Sequence, residues 1–210
     1  MISATRSRPP ARAAVVRDPA MTAPAERAER RAPSPSAERY RALVDAHFDF
    51  IWRSLRGLGV PAGSADDAAQ HVFLIAYQKL AEIAPDRERS FLFGTALGVA
   101  ANARRAGARR RELCDDGAMA AAADDAPNPE QLIEMKQARA LLDDVLDAME
   151  EDLRVVFVLF ELEGVPTEEI AAMLGLAKGT VASRLRRARE DFRAIARRVQ
   201  ARAPHRGGER

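Results

Sequence analysis

From Tyr40 onward, apolar residues return every three or four positions. Tyr40, Leu43, Val44, His47, Phe48, Ile51, Trp52 and Leu55 trace one side of a helix, which Gly57 and Gly59-Val60-Pro61 bring to an end. A second helix is predicted from Ser64. Its hydroxyl and the acidic pair Asp66 and Asp67 suit a helix N-terminus, and Val72, Ile75, Ala76 and Leu80 form its buried stripe. After Pro85-Asp86 a third helix carries FLFGTALGVAANARRAGARRREL, whose apolar first half gives way to Arg104, Arg105, Arg109, Arg110 and Arg111.

A second group of helices follows. Asn128-Pro129 reads as a cap with proline in the first helical position, and Leu132, Ile133, Ala138, Leu141, Leu142, Val145 and Met149 continue the period. Leu153, Val156, Phe157 and Phe160 supply the inner face of the next helix, which Gly164 and Pro166 terminate. Thr167 then caps a short helix with Ile170, Ala171 and Leu174 on one side, and Glu168 and Glu169 suit the positive end of its dipole. Gly175 supplies the left-handed turn, Leu176 plugs the angle, and Lys178 opens a basic helix. On that helix Val181, Leu185, Ala188 and Phe192 point inward. Ser183, Arg186 and Arg187 point outward with Thr180 beside them. A narrow arginine-rich face fits a DNA major groove, where a guanidinium bonds guanine O6 and N7 through parallel donors.

Between the groups, ELCDDGAMAAAADDAPNPE over 112–130 holds acidic and small residues, two prolines and no base, and reads as a linker. The expected fold is all-α: two small helical domains on a flexible acidic linker, the C-terminal one containing a helix-turn-helix. The expected division is a disordered tail over 1–35, a domain over 36–113, a linker over 114–127, a second domain over 128–198 and a disordered tail over 199–210. Met21 is an alternative start. Gly94-x-x-x-Gly98 is expected to mark close helix packing in a soluble core, because the apolar run around it, Phe91 to Ala101, is far shorter than the roughly 20 residues of a membrane span.

Composition narrows the chemistry. Among 210 residues, 30% are charged, yet the net charge is only +2, so segregation along the chain matters more than the total. Aromatics make up 5%, and alanine, leucine, arginine and glutamate dominate, as in helical proteins. The lone Cys114 excludes an internal disulfide framework and fits a reducing cytoplasm, and His47, His71 and His205 lack metal-ligand spacing. No Ser/His/Asp set or phosphate-cradling glycine loop emerges, so neither an enzyme nor a cofactor is expected. The arginines after Asn102 read either as a solvated helix end that complements the dipole or as a phosphate contact, and a second basic surface favours the latter. The charges from Asp143 to Glu169 are acidic apart from Arg154, so this stretch should repel DNA.

Two runs carry a resemblance. DDAAQHVFLIAYQKL at 66–80 is similar to the polymerase-binding helix of bacterial sigma factors, and EEIAAMLGLAKGTVASRLRRARE at 168–190 is similar to their upstream-promoter-reading helices. The short layout over roughly 36–195 resembles the extracytoplasmic-function group. The resemblance implies a protein that joins core RNA polymerase, directs it to promoters and helps open the DNA. It implies that Asp67, Gln70 and Phe73 meet the clamp of the largest polymerase subunit, that Asn102, Arg104 and Arg105 meet the minus-10 element, and that Thr180, Ser183, Arg184, Arg186 and Arg187 meet the minus-35 element. The linker would thread towards the polymerase cleft or act as a plain tether. His71 stands where many relatives have glutamate, and Leu97 and Gly98 replace a basic residue and an asparagine. With no cysteine-rich tail after Phe192, control by a separate anti-sigma inhibitor is expected. The competing reading is a helix-turn-helix regulator acting without core polymerase, which leaves the first helices unexplained.

Overall fold

The computed structural model describes residues 34–113 and 129–202, all helix and turn. The helices are α1 (Pro35–Gly57), α2 (Ala62–Gln78), α3 (Glu88–Leu113), α4 (Pro129–Ala148), α5 (Glu151–Phe157), α6 (Thr167–Leu174) and α7 (Lys178–Arg202). The expected linker and most of the expected tails lie outside the described residues, but Pro35 and residues 199–202, expected in the tails, are helical as the ends of α1 and α7.

Helices α1, α2 and α3 wrap around Leu43, Ile51, Leu55, Val72, Ala76, Leu92 and Phe93, all essentially inaccessible to solvent. α1 ends at Gly57; Gly59 adopts φ +89°, a left-handed turn that reverses the chain, and Arg56 Nη1 donates to the Val60 carbonyl at 2.6 Å. Two helix starts differ from the sequence expectation. α2 begins at Ala62, two residues before Ser64, and α6 has Pro166 at its N-cap, with Thr167 already inside the helix. In both cases a proline with extended ψ, 148°, sets the entry of the chain, and neither cap carries a side-chain bond. The Thr167 hydroxyl instead meets the Glu168 carboxylate at 3.2 Å.

The glycine pair of α3 also departs from expectation. Gly94 and Gly98 are exposed, and a Cβ built on either would meet no described atom within 4 Å, so the spacing does not mark close packing. The close approach is elsewhere. A Cβ on Gly57 would lie 2.9 Å from both Val158 methyls, because the end of α1 presses against the end of α5.

That contact belongs to a seam joining the two helical groups. Val155, Val156, Leu159, Val165, Ile170, Ala171, Val181 and Leu185 share one continuous core with the α1–α3 residues. Val145, Leu146, Met149, Leu153, Phe157, Val158, Ala188 and Ile195 form a second core between α4, α5 and α7, where Phe157 stacks on Phe192 at 4.6 Å. α5 serves both. Residues from Leu153 to Leu159 are all buried, and the helix widens into a π turn over Val158–Leu162. Arg154 is the one charge inside this run; its Nη1 donates to the Leu146 carbonyl at 3.2 Å near the end of α4 and sits 3.4 Å from Asp147.

Gly57→Ala should destabilise the protein by about 1–3 kcal/mol, the usual cost of overpacking. Pairing it with Val158→Ala should recover at least about 1 kcal/mol relative to the sum of the single changes in urea unfolding; additivity within about 0.5 kcal/mol would show that the contact is not felt.

Candidate nucleic-acid and polymerase interfaces

The helix-turn-helix is built as its residues require. Gly175 takes φ +64° and ψ 32° and donates its N–H to the Ala171 carbonyl, and the Leu176 N–H reaches the same carbonyl at 2.9 Å. The chain can then turn into α7 at Lys178. Val181, Leu185 and Ala188 are buried, with Phe192 half-buried, so the register of α7 follows the predicted stripe. Ser183, Arg186 and Arg187 are exposed and Thr180 is half-buried. Ser183 Oγ donates to the Thr180 carbonyl at 2.9 Å, and Arg186 pairs with Glu190 one turn on at 2.9 Å. Arg184 turns aside and meets Asp152 at the start of α5 at 2.6 Å. Arg189, which lies in the 168–190 run but was given no role there, bonds Glu161 at 2.6 Å and lies over the Phe160 ring, tying α7 to the π turn.

At the entrance to α6, Glu168 has its carboxyl held below the usual range. Bonding to its own backbone N–H is the main cause, followed by Thr167 and then Lys178, 3.6 Å away. The carboxylate thus keeps its charge where the helix dipole favours it.

On α3, Asn102 and Arg105 are exposed and joined, with Arg105 Nη2 donating to Asn102 Oδ1 at 2.5 Å. Gly94, Gly98 and Asn102 recur at four-residue spacing, so an open strip of backbone leads to this pair. Leu97 packs against the core. Arg104 is half-buried and bonds Glu151 at 2.6 Å. The side chains of Arg109, Arg110 and Arg111 lie outside the described residues.

On α2, Asp67 and Gln70 are exposed, whereas Phe73 is only 2% exposed and stacks on Phe48 at 6.0 Å. The structure therefore makes Phe73 part of the buried stripe rather than a residue of the outer face. It forms the floor of an open groove of about 500 Å³ that Tyr40, Val44, Asp67, Gln70, His71 and Leu74 also line. Two residues missed by the sequence reasoning stand on the same side of α2: Leu74 is 53% and Tyr77 54% exposed, large apolar surfaces that helical spacing alone had no reason to single out. Asp66 takes a structural part, accepting the Trp52 indole N–H at 2.8 Å and bracing α2 on α1.

Charge is sorted across the seam. Among the described residues four ion pairs cross it: Arg53 with Glu163 at 2.9 Å, Arg56 with Asp143, Arg89 with Glu169 at 2.9 Å and Arg104 with Glu151 at 2.6 Å. In each the arginine belongs to α1 or α3. Glu163 raises the Arg53 guanidinium above its ordinary value chiefly through their hydrogen bonds, with partial burial opposing. Four carboxylates of the acidic stretch over 143–169 are thus matched to arginines of the first group, while Asp144 and Glu150 stay exposed. The two pairs that keep solvent access at both partners, Arg89–Glu169 and Arg104–Glu151, contribute roughly 0–1 kcal/mol each. Among the described residues no cluster of His, Cys, Asp and Glu could hold a metal ion, and no helix is long and apolar enough to cross a membrane.

Comparison with known proteins agrees with this geometry. Residues 139–192 match the family model described as sigma-70, region 4. The chain is 35% identical over 139 residues to the ECF RNA polymerase sigma-E factor of Escherichia coli strain K12, spanning 62% of this chain and 73% of that protein. It is 31% identical over 152 residues to the ECF RNA polymerase sigma factor SigE of Mycolicibacterium smegmatis, spanning 72% and 59%. In fold it is similar to CnrH, solved in complex with the cytosolic domain of CnrY, with a TM-score of 0.59 and 24% identity over 79% of this chain and 90% of that one. The sigma factor RpoE of Bartonella quintana, solved with the anti-sigma factor NepR, gives a TM-score of 0.52 at 18% identity over 76% and 98%. With its helix-turn-helix inside the matched region and a relative aligned across most of its length, the chain belongs to the ECF RNA polymerase sigma factors.

Proposed function

We propose that this sigma factor divides its work among three surfaces. The groove and outer face of α2 dock on the clamp of core polymerase, α3 engages the minus-10 element, and α7 reads the minus-35 element. The exposed strip of Ser183, Arg186 and Arg187 carries the reading: it lies over a fully buried stripe, behind a left-handed glycine turn, with donors suited to base edges and phosphates. The functional division follows the helices, with 36–113 for polymerase and the minus-10 element, 128–198 for the minus-35 element and 114–127 as the connection. The protein works in the cytoplasm by binding, without catalysis of its own.

On α2, Asp67 and Gln70 supply polar contacts, and the groove with Leu74 and Tyr77 supplies apolar area. Phe73 acts from below by holding the groove's floor. His71 lines the same groove. Control falls to a separate anti-sigma protein, a reading supported by the fold relative RpoE, solved with the anti-sigma factor NepR. A regulator acting without polymerase leaves the α2 groove and its apolar rim without a purpose.

Asp67→Lys with Gln70→Ala should weaken core binding at least about tenfold, or 1.4 kcal/mol, with the helical spectrum intact; unchanged co-migration with core would reject the α2 assignment. Arg186→Ala and Arg187→Ala should each reduce promoter use. A bidentate base contact costs about 1–3 kcal/mol of discrimination, whereas a phosphate contact weakens all sequences alike and lowers the salt slope by about one unit. Normal transcription from the double variant would refute the recognition role of α7. On α3, strand capture rests on Asn102 and the arginines after it, because Gly98 offers no side-chain bond. Asn102→Ala with Arg104→Ala should reduce permanganate reactivity of the opened promoter, and Gly98→Asn should increase it on mismatched promoters; no change in either would exclude this use of α3.

A further inference from the structure

We infer that two carboxylates beside α7, Asp152 and Glu161, determine specificity for the minus-35 element although they meet no base: through Arg184 and Arg189 they fix the rotation at which α7 presents its reading face. The inference rests on the assignment of α7 to that element. It gives Arg184 a positioning role in place of the DNA contact that the family resemblance implies.

Four arginines stand between 184 and 189, and the structure sorts them into two kinds. Arg186 and Arg187 are exposed on the outer face, and the bond of Arg186 to Glu190 runs along α7 itself. Arg184 and Arg189 are half-buried and reach away from α7. Arg184 meets Asp152 in the first turn of α5 at 2.6 Å, and Arg189 meets Glu161 in the π turn at 2.6 Å while its guanidinium lies 5.2 Å from the centre of the Phe160 ring. At about 100° per residue, these two arginines stand roughly 70° to either side of the stripe of Val181, Leu185, Ala188 and Phe192 that packs inward. One strut therefore braces each flank of the helix.

Bracing matters because the stripe alone resists rolling poorly. Val181 and Ala188 are small, and Phe192 offers Phe157 a flat stacked face at 4.6 Å, so apolar packing holds α7 in place more firmly than it fixes its rotation. On a helix about 6 Å in radius with its side chains, a roll of about 20° shifts the outer face by about 2 Å. A base contact keeps its hydrogen bonds only within about half an ångström, so that roll breaks it, whereas attraction to a phosphate acts over a longer range and tolerates the shift. The sign of the charges adds a second argument. A carboxylate beside a DNA-reading helix repels phosphates, and the Asp152 side chain is 59% exposed, so by electrostatics alone its removal would strengthen DNA binding. A strut makes the opposite demand: its removal lowers discrimination, whatever happens to affinity for DNA at large.

Holoenzyme assembled from core polymerase and the full chain tests this on a promoter that the protein uses and on versions with single base changes in the minus-35 element. Asp152→Asn with Glu161→Gln should lower the ratio of matched to mismatched binding at least about fivefold with the helical spectrum intact; an unchanged ratio would overturn the inference. If that pair does not fold, Asp152→Asn alone, at a largely exposed side chain, should lower the ratio at least about twofold, and an unchanged ratio has the same meaning. Arg184→Ala should lower the ratio and leave the salt slope as it was, whereas a slope smaller by about one unit would make Arg184 a phosphate contact and overturn its positioning role. Arg184→Asp with Asp152→Arg rebuilds the strut with its charges exchanged, and should restore at least about half of the discrimination that Arg184→Asp alone loses; no recovery would count against the strut. Arg186→Ala with Arg187→Ala separates the two readings. If that variant loses the ratio while the carboxylate variants keep it, only the strut fails; if it keeps the ratio, the assignment of α7 to the minus-35 element fails.

Discussion

The arrangement depends on α5, a helix too short and too apolar to be satisfied by one neighbour. From Leu153 to Leu159 every residue is buried, including Arg154. A helix apolar all round must be covered all round. α5 packs on α7 and its Arg154 bonds the end of α4, while the π turn that continues it packs on α1 beside the contact of α6 with α3, where the two helical groups meet. Burying side chains such as Val155, Val156 and Leu159 is worth about 1.5–3 kcal/mol each as an upper estimate, more than any single ion pair at the seam supplies. Apolar area therefore brings the groups together, and charge decides how they are aligned.

That alignment is directional. The crossing pairs all set arginine on α1 or α3 against carboxylate on the C-terminal group. Slipped packing would separate these partners, so the pairs favour one register even though each is individually weak. The same polarity suits a nucleic-acid-binding protein. Its arginines would otherwise face solvent as an unscreened basic surface, open to any polyanion.

Much of this was legible in the sequence, and the residues show why. The stripe of Val181, Leu185, Ala188 and Phe192, and the turn at Gly175, depend on periodicity and on the backbone freedom of glycine, both local properties. The outward positions of Ser183, Arg186 and Arg187 follow from the same register. Helix starts were less legible: Ser64 and Thr167 have the side chains of good caps, yet Pro61 and Pro166 before them already fix the entry of the chain, and their stiffness prevailed over cap chemistry.

Tertiary structure decided what becomes of residues with two plausible fates. Phe73 sits next to Val72 at the edge of the α2 stripe, and only the position of Phe48 on α1 makes it a floor instead of an outer contact. Arg104 and Arg184 stand beside the exposed Arg105, Arg186 and Arg187, and only the placement of Glu151 and Asp152 turns them inward. Gly94 and Gly98 offer a surface on which a helix could pack, but no described element comes near; Gly57, which read simply as a helix stop, receives Val158 instead. The uninterrupted apolar run from Val155 to Phe160 was the one sequence signal of the seam, since a helix with a single buried face has no use for it. Periodicity along a chain specifies which side of a helix is apolar, but which neighbour covers it depends on contacts between residues distant in sequence, and those exist only once the helices have packed.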